Sequence, residues 1–400
     1  MTLDKNARTR AYAAESDIIY LDNAATTFPK PDIVYEFAYD FYRRYGGNAG
    51  RGNNPLARAC AKLLDETRTK LATWLDAPSS EQVVFTSSAT HALNLAILGH
   101  PFRHNDIVYV TPFEHNSVLR PLEHLRQTKG IQVRQIPFNR RTFACQLDKL
   151  ETAFQIEPPA MVCVTQASNV CGVMPPVIEI ARLAKQTNLS AVVVVDGAQT
   201  AGLYPLPLRE NLIDAFIFSG HKSLYALYGI AGVVLGTDWR PRPLLFGGTG
   251  TISESVQMPT ELPSAYEAGS HNILAIASLK ASLDWLYTIG RSIVVERTTD
   301  LAIYLRDMLS ELDALELYIP SHDADWCGIL SFNVRDIPSQ TIENILGAKN
   351  IAVRAGLHCA PKAHEWLKTI HVGGTVRLSV GYFSSYSELV LDQLAMLAIS

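Results

Sequence analysis

Polar side chains follow three apolar stretches of the chain that have the composition of buried strands. Asp196 ends the run AVVVVD, and Lys222 follows the run AFIFSG, within the segment SGHKS. Small and hydroxylated residues follow EQVVFT in the segment TSSATHALN, where an apolar helical pattern begins. A lysine amine binds an aldehyde, a carboxylate pairs with a pyridine nitrogen, and a helix N-terminus binds phosphate. Together these residues predict a site for pyridoxal 5′-phosphate.

Each part of this group also has an ordinary structural explanation. Serine and threonine commonly cap helices, and Asp196 can cap a helix or turn. His115, in EHNSV, and Asn169, in SNVCG, follow two further apolar runs. We expect the His115 imidazole to lie flat on the cofactor ring and Asn169 to hydrogen-bond the ring hydroxyl. A histidine or asparagine in a loop is more often structural, so both assignments depend on Lys222 and Asp196.

Cys359, in the segment VRAGLHCAPKAH, is a candidate nucleophile. The six cysteines, at positions 60, 145, 163, 171, 327 and 359, form no C-x-x-C pair, which disfavours both a metal site and a structural disulfide. Cys60 and Cys163 lie in apolar segments and are predicted to be core residues, the usual place for a free cysteine. By composition alone Cys359 is either such a filler or a reactive thiol.

The elements that must position these residues alternate between strands and helices. The predicted strands are 81–86, 106–111, 160–165, 191–196, 215–220 and 231–236, separated by segments of helical periodicity. One such helix is expected to begin after Pro175–Pro176 and to end near Asn188. This alternation predicts an α/β fold with a mostly parallel sheet, in which ligands bind beyond the carboxyl ends of the strands.

The chain length favours two domains. At 400 residues and 44.1 kDa the chain exceeds what one core usually supports. We expect a large cofactor-binding domain over 18–284 and a smaller α+β domain from 1–17 and 285–400, which carries the Cys359 loop. The change from the large to the small domain is indicated by a long helix near 272–290 and a following strand at GILSFNV.

Composition argues against several kinds of partner. The net charge is −4 and no basic run stands out, which disfavours nucleic-acid binding. No apolar run approaches the roughly 18 residues of a membrane span, and the polar first residues do not resemble a secretory signal. A cytoplasmic protein that acts on a small molecule is therefore expected.

With these residues in place, the sequence resembles the class-V aminotransferases, and within them the cysteine desulfurases of the group that includes SUF-system enzymes and selenocysteine lyases. The resemblance implies the fold of aspartate aminotransferase, known as fold type I. It covers nearly the whole chain and rests on segments in the family's order: YLDNAATTFPKP, GRGNNPLA, FTSSATHALNLAI, EHNSVLRPL, SNVCG, VDGAQTAG, SGHKSLY, YEAGSHN, AVRAGLHCAPKAH and GTVRLSVGYFSSYSE.

The resemblance implies a role for each residue of the cofactor site. Lys222 is similar to the lysine that binds the cofactor covalently, Asp196 to the partner of the pyridine nitrogen, and Gln199 to the donor to the ring hydroxyl. His115 is similar to the stacking residue, with Asn169 near the substrate and the ring. Matches to the phosphate-binding positions are Ala89, Thr90, Ser219 and His221. Ser270 matches a residue that reaches the phosphate of the neighbouring subunit, which implies a homodimer.

The resemblance also implies the substrate and the reaction. Arg377 is similar to the arginine that binds the substrate carboxylate, with Arg354 as its helper. Cys359 is similar to the nucleophile that takes sulfur from L-cysteine, leaving L-alanine and a persulfide that passes to an acceptor protein. The attacking species is a thiolate, and His358 together with nearby cationic groups is expected to favour it.

Two departures and three alternatives remain open. Asn54 stands where the family commonly has histidine, and Ala226 and Leu227 replace a usual Gly-Pro pair. One alternative is a lyase that releases sulfide or selenide from cysteine, cystine or selenocysteine without Cys359. The others are a related class-V aminotransferase and a non-catalytic scaffold or sulfur-carrier partner, since fold does not fix function.

Overall fold

The computed structural model describes residues 18–50, 52, 54–250, 254–322 and 324–389. The predicted contribution of residues 1–17 to the small domain lies outside these residues. The helices are α1 (Asp32–Tyr45), α2 (Pro55–Trp74), α3 (Ala89–Leu98), α4 (Asn116–Lys129), α5 (Leu147–Ile156), α6 (Val177–Thr187), α7 (Ile273–Ile289), α8 (Arg291–Ser310), α9 (Ser339–Ala348) and α10 (Pro361–Leu367). The strands are β1 (Ile19–Tyr20), β2 (Val83–Thr86), β3 (Ile107–Val110), β4 (Gln132–Gln135), β5 (Met161–Thr165), β6 (Val173–Met174), β7 (Val192–Asp196), β8 (Ala215–Ser219), β9 (Ala231–Leu235), β10 (Leu315–Tyr318), β11 (Asp325–Trp326), β12 (Ile329–Val334), β13 (Ile351–Ala352), β14 (Arg354–Gly356) and β15 (Thr375–Ser379).

A seven-stranded sheet in the order β2-β9-β8-β7-β5-β3-β4 organises the first two thirds of the chain. Its strands are parallel except β9, which is antiparallel to both β2 and β8. The predicted α/β class is confirmed, and all six predicted strands are present within two residues of their expected bounds. Strands β5, β7, β8 and β9 are buried throughout, which explains their continuous apolar sequences.

Alternating side chains of this sheet enter two separate cores. On strand β7, Val193 and Val195 face one apolar cluster, whereas Val192 and Val194 face the other. Helix α7 is apolar around most of its circumference and packs in the first cluster. No single helix among the described residues is long and apolar enough to cross a membrane; α7 and α8 pass that test only as a pair bent by 83°.

A four-stranded antiparallel sheet, β10-β12-β15-β14, forms the second layer of structure, with its own apolar cluster. The predicted strand GILSFNV is β12, and the predicted long helix is α7. Strands β14 and β15 place Arg354 directly opposite Arg377. The expected domain boundary after residue 284 falls inside α7, and the division into two domains stays a prediction.

The segment that follows β1 connects the two sheets. Asp22 forms a parallel bridge with Ser379 at the end of β15, and the Thr27 amide donates to the His221 carbonyl beside Lys222. The antiparallel sheet that carries Arg377 is thereby tied to the turn that carries Lys222. Residues more than 150 positions apart in the chain are brought to one region by this segment.

Candidate active site

Asp196 and Lys222 lie at the carboxyl ends of the adjacent parallel strands β7 and β8, as the sequence predicts. Lys222 is half-buried by accessible surface, yet protein atoms surround its amine closely. Burial is the main reason that the pKa of Lys222 is lowered to about 8; the charge of Asp196 opposes this shift, and the charges of Arg377 and Arg354 add to it. A substantial fraction of the amine is therefore neutral near pH 8 and available as a nucleophile or base.

The Asp196 carboxylate lies inside the protein at the edge of the sheet. Its side chain is 6% exposed, and Oδ1 accepts from the Ala198 amide at 3.0 Å. Burial raises the pKa of Asp196, and this effect is opposed by the Ala198 hydrogen bond and by the positive charge of Lys222. A buried carboxylate of this kind gains from any protonated nitrogen brought against it.

His115 caps the N-terminus of α4 with its ring rather than pointing freely into solvent. Its Nδ1 accepts from the Ser117 amide at 3.1 Å, so the neutral ring carries its proton on Nε2. Burial lowers the pKa of His115 to about 4, and the nearby charges of Lys222, Arg354, Arg120 and Arg377 act in the same direction. The imidazole is thus neutral at physiological pH.

The predicted phosphate-binding residues come from two strand ends. Ala89 and Thr90 begin helix α3, where the Ser88 side chain caps the His91 amide at 3.2 Å. Ser219 ends β8 and is 2% exposed. The first pair supplies a helix N-terminus with exposed amides, which suits a phosphate.

His221 contributes a buried polar atom that lacks a partner. Its ring stacks on Tyr228 with centroids 4.3 Å apart, and within the described part of the chain its buried Nδ1 has no hydrogen bond. Burial, followed by the charges of Lys222 and Lys30, lowers the pKa of His221 to about 3. A bound group that reaches this nitrogen would complete its hydrogen bonding.

Residues of the segment after β1 hold the turn that carries Lys222. The His221 carbonyl accepts from Thr26 Oγ1 at 2.9 Å and from Lys30 Nζ at 3.2 Å. Lys30 also donates to the Thr27 carbonyl at 2.8 Å, and burial lowers the pKa of Lys30 to about 8. Neither the residue type nor the spacing of Lys30, in the segment YLDNAATTFPKP, indicates this role.

Asn169 and Gln199 lie at the same edge, but each already uses one amide hydrogen. Asn169 Nδ2 donates to the His358 carbonyl at 2.7 Å, and Gln199 Nε2 donates to the Ala24 carbonyl at 2.9 Å. Each NH2 group keeps a second hydrogen for another acceptor. Their predicted contacts with a cofactor ring remain predictions.

Arg377 is the largest fully buried side chain of the site, at 1% exposure. Its Nη2 bonds Asp22 Oδ1 at 2.5 Å and its Nη1 bonds the Asn169 carbonyl at 2.9 Å. Its buried Nε has no partner among the residues described. Burial lowers the pKa of Arg377 below its ordinary value, while Asp22 opposes the shift. Asp22 belongs to the recognised segment YLDNAATT, yet nothing in the sequence indicates its pairing with Arg377.

The Cys359 loop is a tight turn that exposes the sulfur atom. Positive φ angles of 47° at His358 and 58° at Cys359, with a 2.8 Å bond from the Ala360 amide to the Leu357 carbonyl, give the pattern of a type I′ turn. Side chains other than glycine adopt this conformation at a cost of about 1 kcal/mol or more each. The Asn116 amide, next to His115, donates to the Cys359 carbonyl at 2.7 Å and fixes the turn against α4.

The cation beside the sulfur is Arg354 and not His358. Arg354 Nη2 lies 3.6 Å from Cys359 Sγ. His358 is 2% exposed, its Nε2 donates to the Thr375 carbonyl at 3.0 Å, and burial lowers the pKa of His358 well below its usual range. The expectation that His358 favours a thiolate is therefore wrong, since a neutral ring turned into the core supplies no positive charge.

Ser270 lies in the segment that precedes α7. It is exposed, and its Oγ accepts from Asn48 Nδ2 at 3.1 Å. The turn that carries it is anchored by the buried Glu267, whose oxygens bond Arg68 at 2.7 and 2.8 Å, the Phe85 amide at 2.7 Å and His271 Nε2 at 2.8 Å. Burial by itself raises the pKa of Glu267, but the His271 and Arg68 contacts hold it below the ordinary value.

Replacing Glu267 with alanine is expected to lower the free energy of unfolding by about 3–5 kcal/mol, because it leaves Arg68 buried without its partner. Chemical denaturation of the purified variant measures this loss. Glu123→Ala is the matched control, since its pair with Arg126 is exposed to solvent and contributes little to stability. Equal losses in the two variants would contradict the anchoring role of Glu267.

The positions that depart from the family pattern have structural roles. Asn54 caps α2, with its side chain accepting from the Leu56 and Ala57 amides at 3.0 Å each. Ala226 is fully buried, and the Leu227 amide donates to Ser278 Oγ on α7 at 3.0 Å. The segment after Lys222 is thus packed against α7 without the usual Gly-Pro pair.

Comparison with known proteins places this site in a family. The sequence profile of the family described as aminotransferase class-V matches residues 19–391. The chain belongs to the class-V aminotransferases. A probable cysteine desulfurase of Halalkalibacterium halodurans is 32% identical over 94% of this chain and 91% of that protein. A second, of Methanothermobacter thermautotrophicus, is also 32% identical, over 94% and 93%.

Solved structures of class-V relatives share the fold over almost the whole chain. The apo structure of cysteine desulfurase from Thermococcus onnurineus has a TM-score of 0.88 at 29% identity and covers 96% of this chain and 94% of that one. The S-sulfonic acid form of cysteine desulfurase CsdA from Escherichia coli has a TM-score of 0.85 at 26% identity and covers 99% and 98%. Class-V aminotransferases are pyridoxal-phosphate enzymes, and the expected fold type I is confirmed.

Proposed function

We propose that this chain is a pyridoxal-phosphate-dependent cysteine desulfurase that converts L-cysteine to L-alanine and holds the sulfur as a persulfide on Cys359. The observation that carries the proposal is the placement of Cys359. Its sulfur is exposed on a tight turn, lies 3.6 Å from the Arg354 guanidinium, and its backbone is fixed to the residue after His115. The names of the relatives support the same activity.

The residues present fit the cofactor. Lys222 has the lowered pKa that covalent binding of an aldehyde requires, and Asp196 is a buried carboxylate suited to a protonated pyridine nitrogen. Thr90, Ser219 and the unpartnered His221 nitrogen are of the type that binds a phosphate. When bound, pyridoxal phosphate supplies an electron sink that stabilises negative charge on the substrate carbons.

Arg377 binds the carboxylate of L-cysteine in the proposed site. The guanidinium is held rigidly by Asp22 and by the Asn169 carbonyl, which leaves its Nε hydrogen without a partner. A buried arginine that is already desolvated gains more from an added carboxylate than an exposed lysine does. The substrate is thereby oriented by a group that cannot rotate away.

Lys222 moves protons at the substrate carbons. Its neutral amine accepts the α-proton and, once protonated, returns a proton to the carbon framework as alanine forms. The pKa of about 8 balances these two tasks near physiological pH. The His115 imidazole lies beside this amine, neutral, with its Nε2 hydrogen available as a donor.

Cys359 accepts the sulfur. Its thiolate Sγ forms a bond to the substrate sulfur while the carbon–sulfur bond breaks, and the electron pair of that bond stays with the substrate carbon. Protonation of the carbon yields L-alanine, so the carbon is reduced as the sulfur is oxidised to the persulfide level. Arg354 stabilises the negative charge on the Cys359 sulfur before the attack.

The proposal extends to the assembly and the compartment. We propose a homodimer in which Ser270 reaches the phosphate of the second subunit, a persulfide that passes to an acceptor protein, and a cytoplasmic location. Ser270 borders a cavity of about 370 Å³ that Tyr42 and Leu274 also line. Tyr42 and Leu274 are exposed apolar side chains on this same face, which supports a subunit contact there.

Product analysis after incubation with L-cysteine tests the proposed function. A desulfurase releases L-alanine in proportion to the cysteine consumed, and sulfide appears only after a thiol reductant frees it from Cys359. A lyase that eliminates sulfide directly forms pyruvate and ammonia instead. Pyruvate as the main product would therefore overturn the desulfurase assignment in favour of the lyase.

The reactivity of Lys222 is expected to depend on pH with a midpoint near 8. The neutral amine is the reactive form. The rate of reductive methylation of Lys222 in the cofactor-free protein should therefore increase about tenfold for each unit by which the pH rises toward 8, and it should level off above pH 8. Mass spectrometry of the Lys222 peptide measures the rate. In unfolded protein the midpoint should return to about 10.4, the value of a free lysine; an equal midpoint in folded protein would contradict the assigned environment.

A further inference from the structure

Ser117, in the first turn of α4, links the start of α3 to the His115 ring. Its Oγ lies 2.8 Å from His115 Nδ1 and 2.8 Å from Thr90 Oγ1. The residue is 7% exposed, so protein and not bulk water surrounds its hydroxyl. A continuous chain of hydrogen-bonding groups thus runs from the start of α3 to the His115 ring.

We propose that the Ser117 hydroxyl relays phosphate binding at Thr90 to the imidazole of His115. The inference rests on the proposed function, because it takes the cofactor phosphate as the group that Thr90 binds. Ser117 touches neither cofactor nor substrate and is therefore a positioning residue. Its effect is exerted through the direction in which its single hydroxyl hydrogen points.

Two arrangements of the hydroxyl hydrogens satisfy the chain. Without phosphate, Thr90 donates to Ser117, and Ser117 donates to His115 Nδ1, which keeps that nitrogen unprotonated. With phosphate bound, Thr90 donates to a phosphate oxygen, and Ser117 turns to donate to Thr90. Each hydroxyl has one hydrogen, so the two arrangements exclude each other.

The second arrangement changes the group that the Ser117 hydroxyl presents to His115 Nδ1, from a hydrogen to a lone pair. The Ser117 oxygen then presents a lone pair to Nδ1 at 2.8 Å, where it accepts from the protonated ring. The Ser117 amide, which donates to Nδ1 of the neutral ring, is the same in both arrangements. Phosphate binding thereby favours the protonated imidazole, and by linkage a protonated His115 favours phosphate binding.

The surroundings of His115 make such a relay consequential. The charged groups that act on its ring, Lys222, Arg354, Arg120 and Arg377, are all cationic and disfavour its protonation. A relay that strengthens proton binding only when the phosphate is present raises the proton affinity of His115 in the loaded site alone, by about the contribution of one hydrogen bond. The cofactor-free protein keeps the ring neutral.

Histidine-selective ¹⁵N NMR titration tests the relay. The pKa of His115 is measured in the wild type and in Ser117→Ala, each saturated with pyridoxal phosphate or with pyridoxal, which has the same ring and aldehyde without the phosphate. The wild type should show a higher pKa with pyridoxal phosphate than with pyridoxal. In Ser117→Ala this difference should shrink by about 0.5–1 pKa unit, the contribution of one hydrogen bond.

Three further variants separate the relay from other effects. Thr90→Val should reduce the difference as Ser117→Ala does, Ser117→Thr should restore it because the hydroxyl returns, and Thr128→Ala, elsewhere on α4, should leave it at the wild-type size. If the pKa difference between the two ligands were the same in the wild type and in Ser117→Ala, the charge of the phosphate alone would explain it, and the relay would be overturned. Failure of the wild type to take up pyridoxal phosphate, seen as the absence of its absorbance, would instead overturn the proposed function on which the relay rests.

Discussion

Replacing Lys222 with alanine is expected to abolish covalent binding of the cofactor and to lower the rate of alanine formation by about 10³-fold or more, within the range of lost acid–base catalysis. The amine is the group whose pKa is lowered to about 8, chiefly by burial, at the edge where Asp196 ends the adjacent strand. The Lys30 amine does not take its place, because it donates to the Thr27 and His221 carbonyls. Absorbance of the purified protein and steady-state assays with L-cysteine measure the two losses.

The exposed Lys362 provides the control for the Lys222 variant. Its amine pairs with Glu365 on the surface of α10, so Lys362→Ala should retain the wild-type absorbance and rate. Thermal unfolding checks that Lys222→Ala is folded. Its unfolding temperature should not be lower than that of the wild type, because the substitution removes a buried cation. Retention of covalent cofactor and of most activity in Lys222→Ala would show that another residue carries the chemistry.

Replacing Cys359 with serine is expected to eliminate the protein persulfide and to lower alanine formation from L-cysteine by about 10²-fold or more, because a hydroxyl is a poor nucleophile toward sulfur. The cofactor absorbance should remain that of the wild type, since Cys359 lies on a turn outside the cofactor-binding strands. Alanine quantification and a persulfide-specific alkylation assay measure the outcome. A full rate of alanine formation in Cys359→Ser would show that Cys359 is not the group that accepts the sulfur.

Cys145 is a suitable control for the Cys359 variant. It is half-buried, and burial raises the pKa of its thiol to about 12, so it is unreactive at neutral pH. Cys145→Ser should therefore leave both persulfide and alanine formation unchanged. Loss of persulfide in this variant as well would place the sulfur-carrying thiol elsewhere.

The seven-stranded sheet was predictable from sequence because most of its strands are buried on both faces. Continuous β-branched runs such as AVVVVD have few alternatives, and the rule for carboxyl ends then places Asp196 and Lys222 side by side. Strand β4 was not predicted, because its sequence QVRQ is polar and partly exposed at the sheet edge. Apolar periodicity gives no signal for such a strand.

The contacts that tune the site were not predictable, because they join residues distant in the chain. Asp22 pairs with Arg377 across 355 positions, and Ser117 meets Thr90 across 27. The left-handed turn at His358 and Cys359 contains neither of the residues, glycine or asparagine, that ordinarily mark it. The sequence therefore predicts a reactive cysteine beside cationic groups, while only the structure identifies Arg354 as the cation at its sulfur.

Buried titratable groups are a second class of feature that sequence does not specify. Glu114 precedes His115 in the recognised segment EHNSV, yet it is fully buried, with Thr111 Oγ1 at 2.6 Å and the Thr165 amide at 2.8 Å from Oε1. Burial raises the pKa of Glu114 to about 8, so this acid is largely protonated at neutral pH. A neutral acid here avoids adding a second negative charge near Asp196.

The most direct test of the proposed desulfurase is mass spectrometry of the wild-type protein after brief exposure to L-cysteine without reductant. We expect one added sulfur atom on the peptide that contains Cys359, together with one equivalent of L-alanine for each sulfur bound. Alanine formation with no sulfur on Cys359, or with sulfur on a different cysteine, would contradict the proposed role of Cys359.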